Sequence, residues 1–185
     1  MILSTSAYTI ELFDDRNGHD PRSADNVSSY DRAYTLSDHI SSTHGVRVSA
    51  DNREIASAVI RAGGGASGVH DRSAFLHGDS LFLAVGPFVV HLAIPSLDLL
   101  WSVETDEATC FGVHRISDSS DFISHGELSI SRVTEDGRIL WSESGADIFT
   151  GDLTMLRQEV RVADFDGRRY SFDLVTGASK LLPST

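Results

Sequence analysis

A single cysteine, Cys110, stands among 185 residues. The chain can therefore form no internal disulfide, no CxxC redox pair and no multi-cysteine zinc knot. This usage fits a reducing cytoplasm, where the protein is expected to reside. Lysine is as scarce: Lys180, five residues from the end, is alone, and no glycine-rich segment leads into it. P-loop, Schiff-base and kinase-type phosphate chemistry each need a lysine in such a setting, so they are set aside. Long hydrophobic runs are also missing. The longest, Leu81 to Ile94, is broken by Gly86, Pro87 and His91 and falls short of the roughly 18 residues a membrane span needs. Met1-Ile2-Leu3-Ser4-Thr5 has neither the basic n-region nor the apolar h-region of a signal peptide. A soluble chain with no membrane partner is expected.

Positive charge is the next shortage. Fifteen basic residues stand against 27 acidic ones, a formal charge of −12. Such a field repels phosphate backbones and anionic lipid, which argues against nucleic acid and favours a basic protein partner. An apolar fraction of 41% is too high for a disordered chain. A length of 185 residues suits a single domain over 1–185, which buries roughly 70% of its unfolded surface without staples.

What the chain does have is an internal repeat. FVVHLAIPSLDLLW (88–101), LSISRVTEDGRILW (128–141) and RRYSFDLVTGASKL (168–181) align at a spacing of 40 residues. Each reads as an extended run, a turn pair and a second run ending on a bulky apolar residue. The turn pairs are Ser96-Leu97, Asp136-Gly137 and Thr176-Gly177. Asp-Gly supplies positive φ at small steric cost, so the middle copy carries the clearest turn. A weaker copy, VRVSADNREIASAVI (46–60), turns at Asp51-Asn52. Its second half has a rival reading as a helix over 53–62, with Asp51 and Glu54 as capping box and Ile55, Ala58, Val59 and Ala62 on one face. Further strands are expected at Tyr8–Leu12, Leu81–Val85, Ala108–Ile116, Phe122-Ile123 and Val160–Phe165. Leu81–Val85 is apolar throughout, as a strand buried on both faces would be. A polar surface loop should fill 14–29, with Gly18 and Pro21, and a short helix fits 30–40. The fold class is all-β: an antiparallel meander of repeated hairpins with few short helices, arranged as propeller-like blades, a strongly bent sheet or a sandwich.

The third copy resembles the blade motif of quinoprotein-type β-propellers, in which Asp, Thr-Gly and a closing tryptophan recur. Asp173, Thr176 and Gly177 match, with Leu181 in place of the tryptophan; Gly137 and Trp141 match in the second copy, and Trp101 in the first. The resemblance implies that each tryptophan docks one blade onto the next. It covers about the last hundred residues and implies architecture, not chemistry: these few blades cannot close a ring, so neither the quinone cofactor nor its catalytic residues carry over. Over its length the chain also looks like a group of small bacterial proteins through ATCFGVHRI, SHGELSISR and GADIFTG. That likeness implies no activity.

No candidate site carries a complete signature. Gly63-Gly64-Gly65-Ala66-Ser67-Gly68 satisfies GxGxxG, but no helix and no acid about 20 residues later follow it. Gly65-Ala66-Ser67-Gly68-Val69 misses a nucleophile elbow because valine stands where glycine is needed, although a Ser-His-Asp triad could draw its members from anywhere. His70-Asp71 and His77-Gly78-Asp79 read as turn chemistry, as does Asp164-Phe165-Asp166-Gly167, which lacks the further ligands of a calcium loop. Cys110 and His114, on one strand, should share a face roughly 13 Å apart. His125 and Glu127 could join them as donors. The candidate binding residues are thus His70, Cys110, His114, His125 and Glu127, with no cofactor and no metal expected. The leading expectation is a non-enzymatic β-repeat module that binds a protein or self-associates through its sheet edges. The alternatives are a small metal-dependent or hydrolytic enzyme using the Cys110/His114/His125/Glu127 region and an acidic inhibitor that neutralises a basic toxin.

Overall fold

The computed structural model describes residues 1–15, 20 and 23–183; Gly18 and Pro21 of the expected loop lie outside the described residues. Among those described there are seventeen strands and no helix. The first sheet contains β1 (Ile2–Ser4), β2 (Thr9–Asp14), β3 (Arg32–Thr35), β4 (Ser42–Ala50) and β5 (Arg53–Ala62), in the order β1-β2-β4-β5-β3. Three four-stranded antiparallel meanders follow: β6 (Ala74–His77) to β9 (Leu99–Glu104), with β7 (Ser80–Val85) and β8 (Phe88–Ala93) between; β10 (Cys110–Arg115), β11 (Phe122–Gly126), β12 (Ser129–Val133) and β13 (Ile139–Ser144); and β14 (Thr154–Met155), β15 (Glu159–Ala163), β16 (Arg169–Asp173) and β17 (Ser179–Leu181). All four repeat segments are hairpins at the expected turns.

Over 53–62 the hairpin reading holds against its helical rival, and the short helix expected within 30–40 is replaced by a strand, for identifiable reasons. Asp51 and Asn52 take φ of 49° and 59°, the two-residue turn that matches strand twist. In β5, Ala56, Ala58, Ile60 and Ala62 face the second sheet while Val59 is buried on the other side. Burial on both faces produced an apolar run that mimics helical spacing. Segment 30–40 contains β3, which pairs parallel to β5 from Arg32↔Ala58 to Thr35↔Arg61.

The sheets stack face to face, and each junction owns one hydrophobic cluster. Leu81, Leu83 and Val85 of β7 join Ile10, Val46 and Ile60 of the first sheet. Phe82 and Ala84, on the opposite side of β7, join Phe122, Val113 and Val133 of the third. Ile123, Ile130 and Trp141 join Val160, Tyr170 and Phe172 of the fourth. Among the described residues no cluster joins the first sheet to the fourth, so the stack is open. The face of the fourth sheet turned away from the third is polar, with Arg161 paired to Glu159 and the Ser171 hydroxyl donating to the same carboxylate.

One joint recurs between neighbours. Trp101 donates its Nε1–H to Glu135 O of the next sheet at 3.1 Å, and Trp141 does the same to Leu174 O at 3.1 Å. Gly137 and Gly177, at φ of 84° and 75°, let the turns approach these indoles; a Cβ at either would lie 2.9 Å from the ring. At the first junction Tyr34 of β3 takes this part, donating to Leu97 O at 2.9 Å and accepting from Leu99 N at 3.1 Å. Leu181, aligned with the two tryptophans in the repeat, is 64% exposed.

Candidate functional site

β10 carries a bulge: Cys110 opposes Gly126, then Gly112 opposes His125, leaving Phe111 as the extra residue. The bulge reverses which side the strand's residues face. Cys110 and His114 therefore do not share a side, contrary to the simple alternation. Cys110 is buried with Val113 and Phe122 against the second sheet, its Sγ 3.1 Å from Ser124 Oγ. Burial pushes its thiol up to about 11, so it stays a protonated hydrophobe. His114, Gly112 and His125 face the fourth sheet instead.

There His70, Arg72, Phe111, His114, His125 and Asp152 line a cavity of about 380 Å³, closed by Thr150 to Leu153. Four segments converge on it: the link before β6 (His70, Arg72), β10, β11 and the link before β14. The His114 and His125 rings lie 5.9 Å apart, and Phe111 meets His125 edge-on at 5.6 Å. Both histidines are more than nine-tenths buried. The Nε2 atom of each is buried with no hydrogen-bond partner among the described residues. Arg72 places a guanidinium nitrogen 3.5 Å from His114 Nδ1. A guanidinium only donates, so Nδ1 accepts and the proton of neutral His114 sits on Nε2. Desolvation, reinforced by His125 and Arg72, lowers His114 to about 3. Desolvation likewise lowers His125 to about 4, opposed chiefly by the Asp152 carboxylate. Both rings are neutral at pH 7.

Of the five residues singled out from sequence, His70, His114 and His125 meet in this cavity, whereas Cys110 and Glu127 are not among its lining. Glu127 serves through its backbone, its N–H donating to Thr109 O and its carbonyl accepting from Phe149 N. Among the described residues no three His, Cys, Asp or Glu side chains stand close enough to hold a metal ion.

A second cavity of about 590 Å³ lies between neighbouring sheets, where β9 leaves the second and β13 edges the third. Glu104 and Glu107 rim it, with Leu128, Ile139, Ser142 and Ser144. None of its lining residues is basic, and neither glutamate has an ion-pair partner among the described residues. Its wall is fixed by Asp106, a buried carboxylate that accepts the backbone N–H groups of Ala108, Thr109, Leu128 and Ser129. Sequence reading missed Asp106, because four turn amides gathered from two segments leave no local pattern.

It also missed a Ser–His–Asp sequence of contacts. His44 Nε2 lies 3.3 Å from Ser67 Oγ, and His44 Nδ1 lies 3.2 Å from Asp14 Oδ1, off the line of a good N–H bond. Ser67 Oγ, however, also accepts Gly86 N–H at 3.0 Å and touches Ser42 Oγ at 3.1 Å. With three partners around it, this hydroxyl clasps the first two sheets together and presents no free nucleophile.

No protein-family model matches the chain, and no curated protein is similar to it. Solved structures are. The β-propeller domain of Myceliophteria thermophila Cps50 (Swd1) superposes with a TM-score of 0.52 at 13% identity, covering 63% of this chain and 38% of that one. The RRP9 WD40 repeats give 0.51 at 14%, covering 63% and 40%. The computationally designed Ika8 gives 0.54 at 15%, covering 80% and 46%. This chain thus spans about two-fifths of the natural propellers it resembles. Identities this low speak for architecture alone: the chain is built of β-propeller blades.

Proposed function

We propose that this chain is a non-enzymatic binding module that takes an extended, basic segment of another protein in the groove between β9 and β13. The observation that carries this reading is the pair Glu104 and Glu107, carboxylates with no ion-pair partner among the described residues, which line the groove with Leu128 and Ile139 beside the edge strand β13. An edge strand offers a row of backbone donors and acceptors to an incoming strand. The carboxylates select lysine or arginine on it, and the apolar floor receives the alternate side chains. The charge of −12 adds long-range steering towards a cationic partner and opposes self-association of two like-charged copies. A basic toxin held by an acidic inhibitor is one partner of this kind.

Fluorescence anisotropy with an alternating Lys-Val peptide tests the reading. Binding should weaken steeply with added salt and be abolished by Glu104→Lys with Glu107→Lys. Reversing Asp71 and Asp79, exposed acids elsewhere, gives the matched control. Equal loss in both double variants would reduce the effect to overall charge and overturn the groove.

A further inference from the structure

The histidine cavity lies apart from the acidic groove and has a polarity of its own. One pole consists of donors: the Arg72 guanidinium, in no ion pair among the described residues, and His114, whose Nε2–H follows from the tautomer that Arg72 imposes. The other carries a carboxylate and an imidazole nitrogen able to accept. Asp152 stands exposed at the mouth, and its carboxylate is the principal charge acting in favour of a proton on His125. His125 Nε2 is buried and unpartnered. Phe111 and Leu153 furnish apolar wall between the poles. A buried donor or acceptor without a partner is costly, and the two Nε2 atoms do not satisfy one another across the cavity. The space, about 380 Å³, is that of a small-metabolite site.

We infer that this cavity binds a small zwitterion, a free α-amino acid, with its carboxylate on Arg72 and His114 and its ammonium on Asp152 and His125. The arrangement satisfies both orphaned imidazole nitrogens and leaves the site's charge balanced. A simple anion would face Asp152 unopposed, and a simple cation would face Arg72. Phe111 and the two imidazole rings favour an apolar or aromatic side chain on the ligand.

Calorimetric titration of the intact chain with L-phenylalanine, L-leucine and glycine tests the assignment, alongside N-acetyl-L-phenylalanine and L-phenylalaninamide. At least one free amino acid should bind and shift the Nε2 resonances of both His114 and His125. Blocking either terminus should weaken binding by about tenfold or more, the loss of one charge-assisted contact. Arg72→Gln should erase the preference for the acid over the amide, and Asp152→Asn the preference for the free amine over the acetylated form. Both residues lie at the exposed mouth, so their variants should keep the wild-type circular dichroism and melting. Glu104→Lys with Glu107→Lys should leave this binding unchanged, which separates it from the groove. Silence from all three amino acids would overturn the proposal. So would N-acetyl-L-phenylalanine or the amide binding as tightly as L-phenylalanine.

Discussion

Acid should unfold this protein through two particular imidazoles. In the unfolded chain a histidine titrates near 6.5; in the folded chain His114 is lowered to about 3 and His125 to about 4. Between these values the unfolded state binds protons that the folded state refuses, so stability is full above about pH 7 and falls as pH drops through about 6.5. At about pH 5 the protonation of each unfolded imidazole is worth about 2 kcal/mol, and the pair about 4 kcal/mol. That is a large part of an ordinary folding margin of roughly 5–15 kcal/mol. His44 and His91, both lowered by burial, act in the same direction. The depressed carboxylates Asp98, Asp136, Glu159, Asp164 and Asp173 lose their contribution only at lower pH. Urea unfolding at about pH 7.5 and about pH 5 therefore isolates the histidines. The double variant His114→Phe with His125→Phe keeps a planar aromatic ring at each position and removes both titrations, so its loss over that interval should be smaller than wild type by about 4 kcal/mol. If wild type and variant lose the same stability, the two imidazoles are not what the acid attacks.

Three further outcomes are expected. Trp141→Phe removes the indole donor to Leu174 O, which Arg132 Nη1 still serves at 2.7 Å, and should cost about 1 kcal/mol in urea melts. Gly177→Ala meets both a positive φ and the Trp141 ring, whereas Gly167→Ala at φ 79° has nothing within 4 Å; the first should cost about 3 kcal/mol and the second about 1 kcal/mol. Cys110 should resist thiol-directed reagents in the native protein and react only as fast as the chain opens, because burial holds it as the thiol.

The three long repeat copies could be read from sequence because each packs the same information into fourteen residues: alternation, a turn pair and a terminal anchor. The pattern marks Trp101 and Trp141 as equivalent terminal anchors, and the resemblance to propeller blades implies their docking role. No such pattern marks Tyr34, although it does the same work. It lies on a four-residue strand that pairs parallel to β5 with β4 intervening in the chain, and so leaves no hairpin pattern. The site was half legible for a related reason. Period-two alternation places His125 correctly but fails at Cys110 and His114, because one extra residue, Phe111, inverts the strand between them. Arg72 and Asp152 come from links with no periodicity at all. Only the stacking of three successive sheets brings them to the same cavity.

The joint made by Tyr34, Trp101 and Trp141 has a consequence for how such a chain can evolve. Beside its apolar cluster, each junction sets one aromatic ring against one turn carbonyl of the adjacent sheet, so the same polar joint serves three successive interfaces. Duplication or deletion of a forty-residue segment would keep that joint on either side, and only the apolar cluster beside it would need to be matched anew.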